Sequence, residues 1–424
     1  MTRTTTVALL ALLAACACAR AQEAQPQPQP EQAAAQPGAA PAVRSQQDIL
    51  YQEALEALGE GRRSDASQAL ERLIGQEPDH AGAWLDLALI QCGLGNGDEA
   101  ERMFAVIETR FNPSREILEL IAETREAGCR PWTPGSALSL TVGRGVDQNV
   151  NQGASTSALV LEGGAIVLPL LPDFLPRHDQ YSVVGIDYVR DVTPNGSIGF
   201  AQLQARHNDR IRAYDSNSLV AGIDVPWRYK RWALHTVGSL GAVTLGGKYY
   251  QRQAQFQGRV VPPLPLPNTM QFSVLGSATR TEYLTLKNFD SSTYELRGLL
   301  TYRKNSWYAS ASLGYQDDHS GSARPGGDRD GWYGNLTLRR ALMGPLTGEL
   351  NYLRQTWDST TVYSPQVIDV IRQQSTQVLR GTLIWPFGKS QSLQLEGRVI
   401  RNRENISIFQ YNNKQLQLSW QWQY

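Results

Sequence analysis

The sequence predicts an α + β multidomain protein in which N-terminal helical repeats precede a C-terminal transmembrane antiparallel β-barrel of about 14 strands. Three observations support this fold class. Two consecutive stretches of 34 residues share one pattern of apolar positions. From position 134 onward the chain consists of segments in which apolar and polar residues alternate, and in the last ten residues this alternation is strict. No run of 18 apolar residues follows the N-terminal segment, so we expect no membrane-spanning helix.

Residues 1–21 are typical of a secretory signal peptide. Arg3 supplies a positive charge, an apolar segment follows, and residues 19–21 form a small-x-small cleavage site. An alternative to this cleavage site is the segment 13–16, which resembles a bacterial lipobox and would leave Cys16 lipidated. We favour ordinary cleavage, since a closed barrel needs no lipid anchor, and expect export from the cytoplasm in either case.

Residues 22–44 are rich in Gln, Pro and Ala and contain no large apolar cluster. Proline also lacks the amide hydrogen that regular structure uses. We therefore predict a disordered, extended linker here.

The formal net charge of zero is unevenly divided along the chain. Before Pro134 there are 11 basic and 19 acidic residues, a net charge of −8, whereas 29 basic and 21 acidic residues follow, a net charge of +8. The pattern predicts two domains of opposite electrostatic character, of which the basic one is the candidate conduit.

Residues 45–130 are predicted to form a periplasmic helical domain built on a 34-residue period. The period runs from Gln47 and again from Ala81. In the second unit the apolar positions are Trp84, Leu87, Ala88, Ala100, Phe104 and Ile107. They resemble the packing positions of a tetratricopeptide repeat, where small residues let paired helices approach and large ones fill the space between them. A fifth helix follows over residues 115–128, with Ile117, Leu118, Leu120 and Ile121 predicted to close the stack.

Stacked helix pairs generally serve as docking surfaces. On that ground we take Trp84, Leu87 and Phe104 as candidate client-binding residues, the alternative being that the domain is a plug or scaffold for the barrel. Cys92 and Cys129 are the cysteines that remain after the predicted signal peptide. One periplasmic disulfide between them is possible, and two buried thiols are the equal alternative.

Residues 134–424 are predicted to form an outer-membrane β-barrel. These 291 positions allow about 21 residues for each of 14 strands and its connection, which leaves room for 10–12 spanning residues. The candidate strands begin near Ala137, Gln180, Ser197, Ser218, Arg231, Tyr249, Met270, Thr293, Ser306, Trp332, Leu346, Gln377, Ser392 and Asn412.

The last strand carries the sharpest alternation in the chain. Its large apolar residues are Leu416, Leu418, Trp420, Trp422 and Tyr424, and their neighbours are Gln or Ser. One face is therefore suited to lipid and the other to water. A terminal strand that ends in an aromatic residue resembles the insertion signal of outer-membrane barrels, although Phe or Trp is the usual last residue.

The polar faces of the other strands predict a wet lumen. We assign seven charged residues to that surface: Arg297, Arg339, Arg380, Arg398, Glu295, Glu349 and Glu396. Two long connections, 153–177 and 260–268, are rich in apolar residues and proline, and proline cannot donate to a strand ladder. They are either a plug or constriction in the pore or extracellular loops.

Catalytic motifs are absent from the sequence. It contains no nucleophile elbow, no His-Glu-x-x-His motif, no Cys/His cluster and no phosphate-binding loop, and its five histidines are scattered. We therefore expect no enzymatic activity, no catalytic residue, no metal site and no cofactor.

The first barrel strand ends in the segment 143–151, which contains the spaced polar residues Asp147, Asn149 and Asn151. With the preceding repeats and 14 strands, this segment resembles the surface lipoprotein assembly modulator family. The alternative is a turn in which these side chains cap their own backbone. The resemblance implies a Gram-negative outer-membrane protein with periplasmic repeats that captures a client, in the first instance a surface lipoprotein, and exports or displays it.

The partners implied are outer-membrane lipid, the barrel-assembly machinery and the exported client protein or lipoprotein. We expect a monomer and no nucleic acid. An exopolysaccharide export porin is the second hypothesis, because such porins also join repeats to a barrel and the lumen arginines would suit an acidic glycan.

Overall fold

The computed structural model describes residues 46–59, 61–129, 133–161, 166–229 and 231–424. The predicted signal peptide at 1–21, with Cys16, and the predicted linker at 22–44 lie outside these residues. The described chain forms two compact units, one helical and one built of strands, whose boundary in the sequence falls between Thr133 and Pro134.

The described part of the helical unit contains five α-helices. They are α1 (Gln46–Gly59), α2 (Arg63–Gln76), α3 (Ala81–Gly93), α4 (Gly97–Arg110) and α5 (Arg115–Ala127). Gly61 and Gly95 adopt φ values of 75° and 87° between paired helices, a conformation that side chains with a Cβ resist. Among the described residues, no helix has the length and apolar character needed to cross a membrane.

The core of the helical unit is made of the small and large residues that the repeat pattern predicts. Its fully buried members include Ala54, Ala66, Leu70, Leu73, Ala88, Ala100, Ile107 and Ile121. Leu87 and Phe104 belong to the same core, with exposures of only 2% and 1%, so the assignment of these two side chains to client binding was wrong. Trp84 is partly buried and donates its indole N–H to the Pro78 carbonyl at 3.0 Å.

Helix α5 closes the stack with only part of its predicted face. Ile121 is fully buried and Ile117 packs against the core, but Leu118 and Leu120 are 41% and 39% exposed. They flank the buried side of the helix, and within the described residues of this unit no further helix follows α5 to cover them. Cys92 at the end of α3 and Cys129 after α5 form a disulfide, with their Cα atoms 4.6 Å apart.

The second unit is a closed antiparallel barrel of 14 strands, which confirms the predicted fold class. Its strands are β1 (Ser136–Asp147), β4 (Asp179–Asp191), β5 (Ile198–Asn208), β6 (Ser216–Tyr229), β7 (Trp232–Leu245), β8 (Lys248–Val261), β9 (Met270–Tyr283), β10 (Ser291–Lys304), β11 (Trp307–Ser320), β12 (Arg329–Met343), β13 (Leu346–Ser364), β14 (Ile368–Phe387), β15 (Gln391–Glu404) and β16 (Tyr411–Gln423). Each strand pairs with its neighbours in the chain, and β1 closes the ring by pairing with both β4 and β16.

Two further strands lie in the connection between β1 and β4. They are β2 (Ala158–Leu161) and β3 (Ile166–Pro169), which pair only with each other. The prolines of this connection thus do not interrupt the barrel ladder, because the hairpin lies outside it.

Burial in the barrel is the reverse of that in a soluble protein. On β16 the apolar Leu416 and Leu418 are 52% and 49% exposed, whereas the polar Ser419 and Gln421 are each 4% exposed. The same inversion runs along β6, where Leu219 and Trp227 on the outward face are 50% and 55% exposed. The barrel therefore presents an apolar outer wall and a polar interior, as a membrane-spanning barrel requires.

The two ends of the barrel differ in their connections. At the end we call the turn end, where β1 begins and β16 finishes, connections run from two residues (305–306) to eight (262–269), and apart from its first connection the opposite end has the same range. At the opposite end, the loop end, the first connection spans 148–178. The two proline-rich segments therefore lie at opposite ends and cannot both be extracellular loops, because an odd number of strands separates them.

The longest strands form a hairpin that extends past its neighbours at the loop end. β13 and β14 contain 19 and 20 residues, and β14 begins nine residues before the predicted Gln377. The pairing of β13 with β12 stops at Ser359, and that of β14 with β15 stops at Gln374. Beyond those points the two strands pair irregularly, at Val362↔Ile371 and Ser364↔Ile368.

Replacing Phe104 with Ala should destabilise the helical unit, because it deletes a large side chain that is 1% exposed. The expected loss is about 3–5 kcal/mol in the free energy of unfolding. The measurement is urea denaturation of residues 45–130 followed by circular dichroism. Leu118→Ala on exposed α5 is the matched control and should cost less than about 1 kcal/mol. Equal losses in the two variants would contradict the assigned core.

Replacing Trp420, Trp422 and Tyr424 with Ser should abolish the heat-modifiable barrel on a gel. The terminal strand would lose roughly 2 kcal/mol or more of lipid burial for each aromatic residue, and its assembly signal as well. The matched control changes Trp227, Tyr229 and Trp232, which face outward on β6 and β7, to Ser. Similar barrel yields from the two triple variants would show that the terminal strand has no special part in insertion.

Candidate functional site at the barrel seam and in the lumen

The seam of the barrel is the pairing of its first and last strands. The register runs from Ser139↔Gln423 to Asp147↔Gln415, and the Leu138 and Tyr424 backbones exchange hydrogen bonds below it. The segment 143–151, on which the family resemblance rests, forms the loop-end half of this seam.

Gly145 lies at a point where another side chain crosses its strand. The ring of Tyr181, from β4, passes so close that a Cβ on Gly145 would overlap it. The Tyr181 hydroxyl then donates to Gln417 Oε1 on β16 at 3.1 Å. Tyr181 thus reaches from β4 across β1 to β16, which requires a residue without a side chain in the middle strand.

A buried ion pair continues this connection. The Arg206 guanidinium, from β5, stacks on the Tyr181 ring at 3.8 Å and donates to Asp147 Oδ2 at 2.7 Å. Asp147 is 3% exposed and also accepts from Gln415 Nε2 at 2.8 Å. We call Asp147, Tyr181, Arg206, Gln415 and Gln417 the seam network, because they join four adjacent strands across the closure.

Asn149 and Asn151 anchor the long connection to the seam. Asn149, 1% exposed, donates from Nδ2 to the carbonyls of Gly153 and Asn412 at 2.9 and 3.0 Å, and accepts from the Gly153 amide at 2.7 Å. Asn151 donates from Nδ2 to the carbonyls of Asp173 and Leu175 at 3.0 and 2.8 Å. These two side chains hold both ends of the connection at one place.

The capped turn that was the alternative interpretation of this segment also forms. The Asn149 amide donates to Asp147 Oδ1 at 2.9 Å, which is the Asx hydrogen bond of a capped turn. Asp147 therefore caps the turn with one oxygen and joins the seam network with the other. Sequence reasoning missed Tyr181 and Arg206, and the glycine at 145 was the available sign that a bulky side chain crosses β1.

The seven charged residues assigned to the lumen all lie on inward-facing positions of their strands. Arg380 and Arg398 are directly opposite each other in the register. Arg380 pairs with Glu349 at 3.9 Å and Arg398 with Glu396 at 3.3 Å. Their Nε atoms lie in buried positions without a hydrogen-bond partner.

On β10 a second group of charges faces the lumen. Arg297 pairs with Glu295 and stacks on Tyr333 at 4.6 Å from the ring centre. Arg339, by contrast, is exposed and forms none of these ion pairs, although it lies opposite Glu349 in the register. Three of the four assigned arginines thus have an acidic partner, and Arg339 leaves the set of seven with one net positive charge.

On the outward face of β1, Arg144 binds the loop residue Asp209. The Arg144 guanidinium, by hydrogen bonding, holds the pKa of that carboxyl below its usual range. The same guanidinium donates to Ser182 Oγ at 2.9 Å.

Replacing Asn149 with Ala should loosen the connection 148–178. The change leaves the Gly153 amide and two carbonyls without their buried partner, which costs about 1–3 kcal/mol for each unsatisfied group. We expect cleavage within 155–175 to accelerate roughly tenfold or more in limited proteolysis of the folded barrel. Gln148→Ala, an exposed position in the same segment, is the control. Unchanged cleavage in Asn149→Ala would refute the anchoring role.

The tetratricopeptide repeat family matches residues 57–123. Among curated proteins, none matches this chain. Solved structures similar to the barrel include OmpTdeltaL8, an outer membrane protein of Vibrio cholerae, with 7% identity, a TM-score of 0.37, and coverage of 69% of this chain and 99% of that one. An anion-selective porin from Comamonas acidovorans shows 9% identity, a TM-score of 0.37 and coverage of 69% and 99%. OccAB3 from Acinetobacter baumannii shows 10% identity, a TM-score of 0.35, and coverage of 68% of this chain and 99% of that one.

Proposed function

We propose that this protein is an outer-membrane translocation or assembly protein that captures a client protein with its repeats and exports or displays it through its barrel. One observation supports this function above the others: a single chain joins a tetratricopeptide-type helical stack to a closed barrel with an apolar wall and a polar interior. Helical repeats bind polypeptides, and a polar lumen offers them a path or a surface. We assign the protein no catalytic role, metal or cofactor.

The proposed location is the outer membrane of a Gram-negative bacterium, with the repeats in the periplasm. Outer-membrane barrels have short periplasmic turns and longer extracellular loops. In this barrel β1 begins and β16 ends at the turn end, so the chain that precedes β1 leaves the barrel on the periplasmic side. The barrel-assembly machinery and the surrounding lipid are the partners that insertion requires.

The proposed client surface is the uncovered side of the helical stack. Because Leu87 and Phe104 are buried, we transfer the contact to Leu118 and Leu120 on α5, which are exposed apolar residues. The acidic residues of α5 around them, including Glu119 and Glu123, would attract a basic or chaperone-bound segment, and this attraction would weaken as salt rises.

By the family resemblance, the proposed client is a surface lipoprotein. The second candidate, a polysaccharide export porin, would be favoured by the inward arginines. However, an acidic glycan would have to compete with Glu295, Glu349 and Glu396, which already pair with three of these arginines. Because three of the four lumen arginines are already paired, the lumen favours a polypeptide client.

Deleting residues 45–130 should leave the barrel heat-modifiable on a gel while surface display of the client lipoprotein falls. The reason is that the barrel has its own closed ladder and the receptor surface is removed. Client display is measured by protease accessibility on whole cells, and secreted glycan is quantified in the same strain. Loss of glycan with normal lipoprotein display would support the export porin, and no change in either output would show that the repeats are only an appendage.

The double variant Leu118→Ser and Leu120→Ser tests the proposed client surface on α5 without removing the helical unit. It should lower client display while circular dichroism of residues 45–130 stays unchanged, because both side chains are exposed. Ala122→Ser on the same helix is the control and should display client normally. Normal client display by the double variant would show that the receptor surface does not lie on these residues of α5.

A further inference from the structure

We propose that three outward-facing cations on β15 and β16, Arg401, Arg403 and Lys414, bind the phosphate groups of a lipid headgroup at the loop end. We call them the rim cations. The inference rests on the proposed insertion of the barrel in the outer membrane, but it does not depend on any client.

The register places the rim cations together on the outer face. Arg401 lies opposite Asn412, and Lys414 lies opposite Val399, so Arg401 and Lys414 are diagonal neighbours. Diagonal neighbours are about 7–8 Å apart, and residues two apart on one strand are about 6–7 Å apart. All three side chains are exposed, whereas Asn402 and Asn413 between them are buried on the inward face.

The rim cations lie directly above the apolar wall. Below them on the same outward faces are Leu395, Val399, Leu416 and Leu418, of which Leu395 is 41% exposed. A change from exposed aliphatic residues to cations marks the level at which acyl chains give way to headgroups. Long basic side chains at that level are suited to anionic lipid phosphates.

Several other outward cations near the loop end have an acidic partner, which the rim cations lack. Arg144 pairs with Asp209, and Arg252 and Arg280 both pair with Glu282. Among the described residues no acidic group forms an ion pair with Arg401, Arg403 or Lys414, and their side chains make no hydrogen bond within the chain. Three neighbouring cations without a counter-ion repel one another, and an external anion would remove that repulsion.

A cavity adjoins these residues. It has a volume of 460 Å³ and is lined by Val399, Arg401, Arg403, Gln410, Asn412 and Lys414, among others. Arginine matches the geometry of phosphate with two parallel N–H donors, and Lys414 adds a point charge. The lining thus offers charge, directed donors and an amide side chain to one phosphorylated headgroup.

The experiment uses the full chain, purified in neutral detergent and exposed to bisphosphorylated lipid A, with bound lipid counted by native mass spectrometry. The triple variant Arg401→Gln, Arg403→Gln and Lys414→Gln should lower the apparent affinity roughly 100-fold, since each cation near an anionic surface contributes about a fivefold effect. The matched control is Arg144→Gln, Arg252→Gln and Arg280→Gln, which removes the same charge from paired positions and should retain lipid.

Further arms identify the ligand. Dephosphorylated lipid A should bind the native chain no better than it binds the triple variant, and inorganic phosphate should compete only at far higher concentration if the lipid is the ligand. Free phosphate that displaces lipid at equal concentration would overturn the lipid assignment. Equal lipid retention in the two triple variants would overturn the site. Normal lipid retention with lost client display would also overturn it, by indicating a protein ligand there. Heat-modifiability of each variant tests membrane insertion separately.

Discussion

The closed backbone ladder is the constraint on which the rest of the barrel depends. A membrane interior offers no water to an unpaired N–H or C=O group, so a sheet can span it only when its first and last strands meet. In this chain that condition is fulfilled by β1 and β16, which lie almost at opposite ends of residues 134–424. The seam network reinforces the closure with side chains from four adjacent strands, and Gly145 supplies the space that Tyr181 needs to cross.

Closure also determines how polar groups are satisfied. Because the outer wall must be apolar, polar side chains are concentrated in the interior, where each needs a partner. This explains the ion pairs of Arg297, Arg380 and Arg398, and the many bonds made by Asn149. The helical unit follows the opposite rule, with alanine and leucine inside, and its last helix leaves two leucines uncovered. The two units thus expose apolar groups for different reasons, one to lipid and the other at the end of a stack.

The period-two pattern predicted most of the barrel, because lipid and lumen impose opposite demands on alternate residues. Strand starts agree to within three residues except at Gln377. There β14 begins nine residues upstream, and most of that added length extends past the pairing with β15, which ends at Gln374. Sequence could not reveal that Tyr181 and Arg206 meet Asp147, since those contacts depend on register across strands. The repeat pattern located the helical core but did not locate a binding surface. Repeat positions mark residues that pack between helices, and Leu87 and Phe104 are therefore buried. The exposed Leu118 and Leu120 lie outside the two repeated units.

The β13–β14 hairpin has a consequence for how the molecule meets its surroundings. Past Ser359 and Gln374 the ribbon has no neighbouring barrel strand, although the Thr360 and Thr361 amides donate to the connection 321–328 and Asn405 binds the backbone of β14. The part of the ribbon's edge that stays unpaired would invite a strand from another chain. Its irregular pairing interrupts the even spacing of backbone groups that a foreign strand would need. The ribbon is therefore a projection with little tendency to aggregate, and its tip at 365–367 is a place where the chain could accept an inserted epitope without disturbing the ladder below.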